Sequence, residues 1–261
     1  WQVSLAACAQ ATPYTTPQVT QPAFDQLATF NRDGYATLQG RISGGSQCHG
    51  KDSLPVTIFM QLEVPIYLED IPSNLNIPFS VTLDTQISSE LAPQTTARDF
   101  FTAHADSSFT EAFLPGQTVE VTFLKEGGQF VALAVRQVDS IDSAQAPIIE
   151  SDILSGSEIK IDYSSLVNMP HPSEGSDDFE WIVAYPAHLH GMEVHVMLPI
   201  KVTQAVVMVS LTGQASSISY REIDQHRISN MPNSAVIEFK HKPGILEAVR
   251  ITETGPDSPN P

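Results

Sequence analysis

The residues best suited to chemistry lie together in one short stretch, from Ala187 to Met197 (AHLHGMEVHVM). Its candidate metal ligands are three imidazoles and two thioethers, those of His188, His190, Met192, His195 and Met197. A strand that starts near Met192 would place His195 and Met197 on one face with Glu193, because side chains alternate along a strand. Imidazole with thioether suits copper, and imidazole with carboxylate suits zinc. The stretch therefore predicts a copper or zinc site, with a pH-sensitive surface histidine patch as the alternative.

The tetrapeptide His188-Leu189-His190-Gly191 resembles the His-x-His-Gly element of multicopper oxidases. The other histidine and cysteine motifs of that family are absent from this sequence. The resemblance therefore does not predict an oxidase. It leaves a bound metal used for storage, delivery or structure as an interpretation.

A second chemical signal comes from the cysteines, Cys8 and Cys48. The residues Leu5-Ala6-Ala7-Cys8 resemble a bacterial lipobox, and this resemblance implies cleavage before Cys8 and lipidation of its thiol. Residues 1–7 would then be the remnant of a signal peptide. Residues 8–23, which are polar and rich in Pro and Thr, would form a lipid-anchored flexible tether.

The alternative for the two cysteines is a disulfide between Cys8 and Cys48, as in many secreted proteins. Both interpretations place the protein outside the cytoplasm. The lipoprotein resemblance, with no acidic residue directly after Cys8, implies an outer-membrane lipoprotein that faces the periplasm or the cell surface. Its contact with the membrane would be the lipid anchor alone.

Charge and composition narrow the class of partner. Acidic residues outnumber basic ones by 30 to 13, which gives a formal net charge of -17. A surface of this kind is unsuited to nucleic acid, whose binding requires basic groups that displace counterions. It is equally unsuited to anionic lipid headgroups. The 19 prolines and 14 glycines favour a β-rich, loop-rich protein.

Two stretches resemble each other and predict β-hairpins, Leu114 to Val138 and Met231 to Thr252. In each, apolar residues alternate around a turn that contains Gly, and the return strand carries Ala-Val-Arg. Two further blocks match: Leu62-Glu63-Val64 with Met192-Glu193-Val194, and four positions between Leu83 and Ser89 with positions 128 residues later (211 minus 83). These matches predict a tandem duplication.

The elements expected around these sites are strands with one or two short helices in each copy. Strands are predicted at 35–42, 56–68, 79–87, 158–167, 181–185, 192–202 and 206–215, loops at 44–50 and 170–178, and helices within 97–113 and 219–228. The order strand, strand, strand, helix, strand, strand is that of an OB-fold. The predicted fold class is therefore all-β with short helices, two tandem OB-like β-barrel modules at 24–140 and 145–254, and a disordered tail at 255–261. Tandem β-sandwiches are the alternative.

No nucleophile elbow or phosphate-binding loop occurs in the sequence, so no enzyme is predicted. The expected function is that of a non-enzymatic, lipid-anchored cell-envelope protein that acts as a binding or assembly module. Its partners would be other envelope proteins, a small ligand or a metal. An extracytoplasmic copper- or zinc-binding protein and an OB-like glycan binder are the alternatives.

Overall fold

The structure of the chain is a computed structural model. It describes residues 24–49, 55–103, 112–141, 146–150, 152–154, 156, 158–162, 166–168, 179–203, 206–210, 213, 215–217 and 234–254. The predicted signal remnant, tether and tail, the loop at 170–178 and the helix at 219–228 lie outside these ranges. No helix of the described part has the length and apolar character needed to span a membrane.

The described residues are mostly β-strand, as predicted, and include the short α-helix α1, Ala97–Ala103. The strands are β1 Tyr35–His49, β2 Pro55–Leu68, β3 Ile71–Ser88, β4 Thr95–Thr96, β5 Thr118–Glu126, β6 Gln129–Gln137, β7 Ile148–Ile149, β8 Glu158–Asp162, β9 Leu166–Asn168, β10 Phe179–Leu189, β11 Met192–Val202, β12 Val207–Val209, β13 Ala215–Ser217, β14 Ser234–Lys242 and β15 Ile245–Thr254.

The chain divides into two compact units. Of the described residues, unit 1 contains those within Ala28–Leu62 and Pro78–Asp139, and unit 2 contains those within Pro22–Leu27, Glu63–Ile77 and Ser140–Pro261. The hairpin segment Glu63–Ile77, which covers the end of β2 and the start of β3, therefore belongs to unit 2.

Unit 1 is built on a mixed sheet in which β1 lies between β2 and β5. β5 pairs antiparallel with β1 and with β6, and β6 pairs parallel with β3. The buried face carries a cluster of phenylalanines whose rings pack edge to face or tilted. Phe123 lies at its centre, with ring centroids 5.7 Å from Phe30, 5.1 Å from Phe79 and 5.1 Å from Phe130.

Unit 2 repeats the same pairing scheme. β14 pairs antiparallel with β8 and with β15, and β15 pairs parallel with β11 and β12. β10 pairs antiparallel with β11 and with β9. In addition, the start of β3 pairs antiparallel with β11, and Leu75 lies opposite Val196 in that ladder.

Both predicted hairpins are confirmed, as β5–β6 and β14–β15. Each contains one irregularity in register, directly before a buried phenylalanine: between Thr122 and Phe123, and between Glu238 and Phe239. The arginine of Ala-Val-Arg pairs across the hairpin with a glutamate in both copies, Arg136 with Glu120 at 2.8 Å and Arg250 with Glu238 at 3.8 Å. These arginines differ by 114 positions (250 minus 136), whereas the irregularities differ by 116 (239 minus 123). The sequence match is therefore displaced by two residues from the structural register.

The remaining matched blocks lie in strands that pair differently. Leu62–Val64 lie in β2, whereas Met192–Val194 begin β11, whose parallel pairing with β15 corresponds to that of β3 with β6. Short Glu-Val matches recur in any alternating strand, so they cannot distinguish one strand from the next.

Three strands are longer than predicted, among them β10, which runs Phe179–Leu189 where 181–185 was predicted. β1 continues through Gly44 and Gly45 to His49, so the loop predicted at 44–50 is wrong up to that residue. β3 starts at Ile71 and passes through Pro72 and Pro78, both exposed. Local propensity is a weak guide in strands because pairing with neighbours outweighs it. The predicted helix within 97–113 is confirmed for α1.

The phenylalanine cluster generates the first testable prediction. Phe123→Ala removes a ring that is fully buried, and we expect it to lower the free energy of unfolding by about 3–5 kcal/mol because it leaves a cavity. Chemical denaturation followed by circular dichroism measures this change. Phe59→Ala is the matched control, since Phe59 is 41% exposed and its loss should cost far less. Equal effects of the two substitutions would contradict the packing described.

Candidate functional site

The register of the β10–β11 hairpin fixes which of the predicted metal ligands share a face. His188 lies opposite Glu193, and Pro186 lies opposite His195. Directly opposite residues of an antiparallel pair point to the same side of the sheet, and alternate residues do so too. His188, His195 and Met197 therefore share the outer face, whereas Met192 points to the other side with the buried Val194 and Val196.

His190 occupies the tip of this hairpin, where its backbone has a positive φ of 50°. Its backbone N–H donates a hydrogen bond to the carboxylate of Asp25, and its Nδ1 lies 3.9 Å from the same carboxylate. The buried Phe24 donates its own N–H to the carbonyl oxygen of His188 at 2.8 Å. The hairpin tip is thus fastened to the segment that precedes unit 1's first strand in the chain, and this segment itself belongs to unit 2.

The strand register places Met192 on the opposite face of the sheet from His188, His195 and Met197, and His190 lies at the hairpin tip. Among the described His, Cys, Asp and Glu residues, the group whose ligand atoms lie within 4.8 Å of one another is Glu69, Asp70 and His241. His195 has a carboxylate neighbour, since its Nε2 lies 3.7 Å from Glu193 Oε1. The copper or zinc site at His188, His190, Met192, His195 and Met197 stays a prediction. Cys48 lies in β1, and Cys8 lies outside the described residues, so their lipidation or disulfide stays a prediction too.

The Glu69–Asp70–His241 group joins the tip of the β2–β3 hairpin to the turn of the β14–β15 hairpin, within unit 2. Asp70 Oδ2 accepts the backbone N–H of Gly244 at 2.7 Å, and Asp70 Oδ1 lies 2.6 Å from His241 Nε2. His241 Nδ1 lies 3.7 Å from Glu69 Oε2. Because these bonds favour the ionised carboxylate, chiefly the one from Gly244 and then the one from His241, the pKa of Asp70 is lowered from its usual range. These contacts tie the two hairpin turns together, and the Glu69–Asp70–His241 group is called the fastening below.

Sequence reasoning missed this fastening. Asp70 and His241 are 171 positions apart, and nothing in either local pattern identifies the other. The available signal was Glu69-Asp70 itself, since two adjacent acids interrupt an otherwise alternating run and mark a hairpin turn.

An open cavity of about 430 Å³ lies on the outer face of unit 2. Its lining residues come from four neighbouring strands: Glu63 of β2, Pro72, Ser73 and Asn74 of β3, Glu180 and Ile182 of β10, and Met197 and Pro199 of β11. The pairing of Asn74 with Met197 and of Ile182 with Pro199 brings these strands together. Of the predicted site residues, Met197 reaches this cavity.

The lining combines apolar walls with two carboxylates. The thioether and aliphatic groups of Met197, Ile182 and Pro199 form the walls, and Glu63 and Glu180 supply the charge. Lys201 lies opposite Glu180 in the β10–β11 ladder but does not line the cavity. The charges of Glu63, Glu180 and Lys201 therefore sum to a negative value. His195 lies two residues from Met197 on the same face of β11.

One polar atom on this face is unsatisfied. Asn76 Oδ1 is buried and, within the described part of the chain, has no hydrogen-bond partner. Asn76 lies two residues from Asn74 and pairs with His195. A buried acceptor left unpaired costs about 1–3 kcal/mol, so Asn76 is a local cost to the stability of this face.

Comparison with known proteins identifies no relative: no protein-family model matches the chain, and no curated protein matches it.

The fastening at Asp70 generates the second prediction. Because the folded-state pKa of Asp70 is lowered, its contribution to stability is fully present above its unfolded pKa of about 3.9 and is lost as the pH falls through the folded value. We expect Asp70→Asn to be less stable than wild type near neutral pH. The difference should shrink below about pH 4.

Thermal unfolding of both proteins across pH 2.5 to 7 measures this dependence. Asp84→Asn is the control, since Asp84 makes a surface ion pair with Arg98 in unit 1 with a side chain 86% exposed, and such pairs contribute little. A pH-independent difference between wild type and Asp70→Asn would refute the ionic role of Asp70.

Proposed function

We propose that the chain is a non-enzymatic binding module of the cell envelope, anchored through a lipid at Cys8. In this proposal it consists of two OB-like repeats, and the second holds a ligand on the outer face of its second and third strands. The observation that carries the proposal is the cavity on β10 and β11. OB-folds bind their ligands on this strand 2–3 face.

The strand pairings support the OB-like assignment of unit 1. Numbered along the chain without the two-residue β4, its strands pair one with two, two with three, three in parallel with five, five with four, and four with one. This is the pairing cycle of a five-stranded Greek-key barrel with a helix between the third and fourth strands, where α1 lies. In unit 2, β8, β10, β11 with β12, β14 and β15 take the corresponding positions.

Matching registers support the duplication. In the parallel ladders, Gln86 pairs with Ala134 and Val207 pairs with Arg250. Gln86 also pairs with Thr96 on its other side, as Val207 does with Ser217. Val207 is therefore 121 positions after Gln86 (207 minus 86), and its partner Ser217 is likewise 121 positions after Thr96 (217 minus 96). The same shift relates the two hairpin tips, where Glu69 and His190 have positive φ values of 53° and 50°.

The pairing of β3 with β11 supports the same shift independently. Leu75 and Val196 are directly opposite and are 121 positions apart (196 minus 75). On either side, His195 pairs with Asn76 and Met197 pairs with Asn74. With the same shift, Asn76 thus meets the counterpart of Asn74, and Asn74 meets the counterpart of Asn76 (195 minus 74, and 197 minus 76). Such self-complementary pairing is the signature of an isologous contact between two copies of one element.

The lining of the cavity makes a glycan a less suitable ligand. Sugar rings are usually held against aromatic faces, and none of the eight described residues that line the cavity is aromatic. The chain's net charge of -17 likewise disfavours a nucleic acid.

The membrane anchor is tested with two matched substitutions in cells that export the protein. We expect Cys8→Ser to move the protein from the membrane fraction to the soluble fraction, because it removes the thiol that would carry the lipid. Cys48→Ser should leave the protein in the membrane fraction. Membrane association that survives Cys8→Ser would refute the anchor. Equal shifts of both variants on non-reducing gels would identify a disulfide instead.

Binding at the cavity is tested with 1-hexanol as an uncharged probe. We expect it to shift the amide NMR signals of Asn74, Ile182 and Met197 in the whole chain, since an alkyl chain fits against the apolar walls. Asn74→Trp should abolish these shifts because the indole fills the space. Gln39→Trp, on an exposed position of β1, is the control that should retain them. Shifts that persist in Asn74→Trp would place the probe elsewhere and contradict the proposal.

A further inference from the structure

The cavity on β10 and β11 has features that specify the chemistry of its ligand. Its volume of about 430 Å³ falls within the range of small-molecule sites, about 300–1,000 Å³. It is open to solvent on the outer face of four paired strands, so a ligand can enter without rearrangement of the sheet. Its occupant is therefore a small molecule or a single extended group.

The charge of the lining residues determines which ligand charge is favoured. Both charged residues that line the cavity, Glu63 and Glu180, are acidic. Glu63 is half-buried, and Glu180 is exposed at the mouth. The nearest basic group in the paired strands is Lys201, opposite Glu180. An anion placed here would be repelled by two carboxylates, whereas a cation would be attracted.

The remaining walls select the body of the ligand. Ile182, Met197 and Pro199 present aliphatic and thioether groups, and Pro72 adds a further apolar surface. Methionine adapts its shape readily, which suits an aliphatic chain more than a rigid ring. Ser73 and Asn74 supply the other polar groups of the lining.

We propose that this cavity binds a small organic cation, with its ammonium group beside Glu63 and Glu180 and its alkyl chain against Met197, Ile182 and Pro199. The inference rests on the proposed binding function and names the ligand class for the same site. It does not require vacant carboxylates, because each carboxylate can accept about four hydrogen bonds. Lys201 lies opposite Glu180 in the β10–β11 ladder, so its positive charge would partly offset the attraction of Glu180 for the ligand's ammonium.

The test compares three probes with the same six-carbon chain and different charge: hexylammonium, 1-hexanol and hexanoate. Each is titrated into the whole chain, with the amide signals of Ile182 and Met197 as the readout. We expect hexylammonium to bind with a dissociation constant on the order of millimolar, 1-hexanol to bind more weakly and hexanoate most weakly. Raising the salt concentration should weaken hexylammonium alone, because salt screens exposed charges.

Matched variants locate the charge recognition. We expect Glu63→Gln and Glu180→Gln each to weaken hexylammonium on the order of threefold, and Lys201→Gln to tighten it by a similar factor, as for partly exposed ion pairs. Binding of 1-hexanol should be unchanged in all three. The melting temperature of each variant, compared with wild type, verifies that the fold is intact.

The outcomes separate the two proposals. Equal binding of all three probes, or binding of hexylammonium that Glu63→Gln and Glu180→Gln leave unchanged, would overturn cation recognition while the cavity remains a ligand site. Tightest binding by hexanoate would do the same. Failure of every probe to shift the signals of Ile182 and Met197 would overturn both the cation inference and the binding function of this cavity.

Discussion

The organisation of unit 2 depends on one short antiparallel ladder, in which Asn74–Asn76 pair with His195–Met197. Without it, the segment Glu63–Ile77 would contribute no strand beside β11. The cavity would then lose Glu63, Pro72, Ser73 and Asn74 from its lining. Three successive backbone pairings thus align residues more than 100 positions apart on a common face (195 minus 76). The cavity lining is therefore built from two segments, β2–β3 and β10–β11, that are distant in the sequence.

Further contacts hold the same segment near the tip of its hairpin. Tyr67 and Leu68 pair in parallel with Ile148 and Ile149 of β7, and Asp70 binds Gly244 and His241 at the tip. A ladder of three residue pairs is weak by itself, and it has to offset the conformational entropy of ordering a hairpin. Fastening at the tip reduces the freedom of the hairpin, which favours a single register. The ionic fastening and the cavity are therefore linked, since Pro72 and Ser73, which line the cavity, follow Asp70 within three residues.

Local periodicity predicted the elements that depend on it. The β5–β6 and β14–β15 hairpins followed from alternation around a glycine turn, and the division of Glu193, His195 and Met197 from Val194 and Val196 followed from the two-residue period of a strand. The sequence did not predict the partner strand of β11, because partner choice depends on residues far away in the chain. The cavity was missed for the same reason. Short block matches such as Leu-Glu-Val with Met-Glu-Val carry alternation without identifying a strand, whereas the ladders beside Gln86 and Val207 give each strand a defined set of partners.

The self-complementary ladder at Leu75 and Val196 has a consequence for how such a site can arise. In a symmetric dimer of a single module, every residue at the interface is present twice, so a substitution that suits one side is imposed on the other. Joining the two copies in one chain, as we infer, removes this constraint. Asn74 and its counterpart His195 now differ (195 minus 74 is 121), as do Glu63 and its counterpart Ala184 (184 minus 63). One chain can thereby carry an acidic, aliphatic cavity on one side of the ladder and an imidazole-bearing surface on the other, a division of labour that an obligate homodimer cannot evolve.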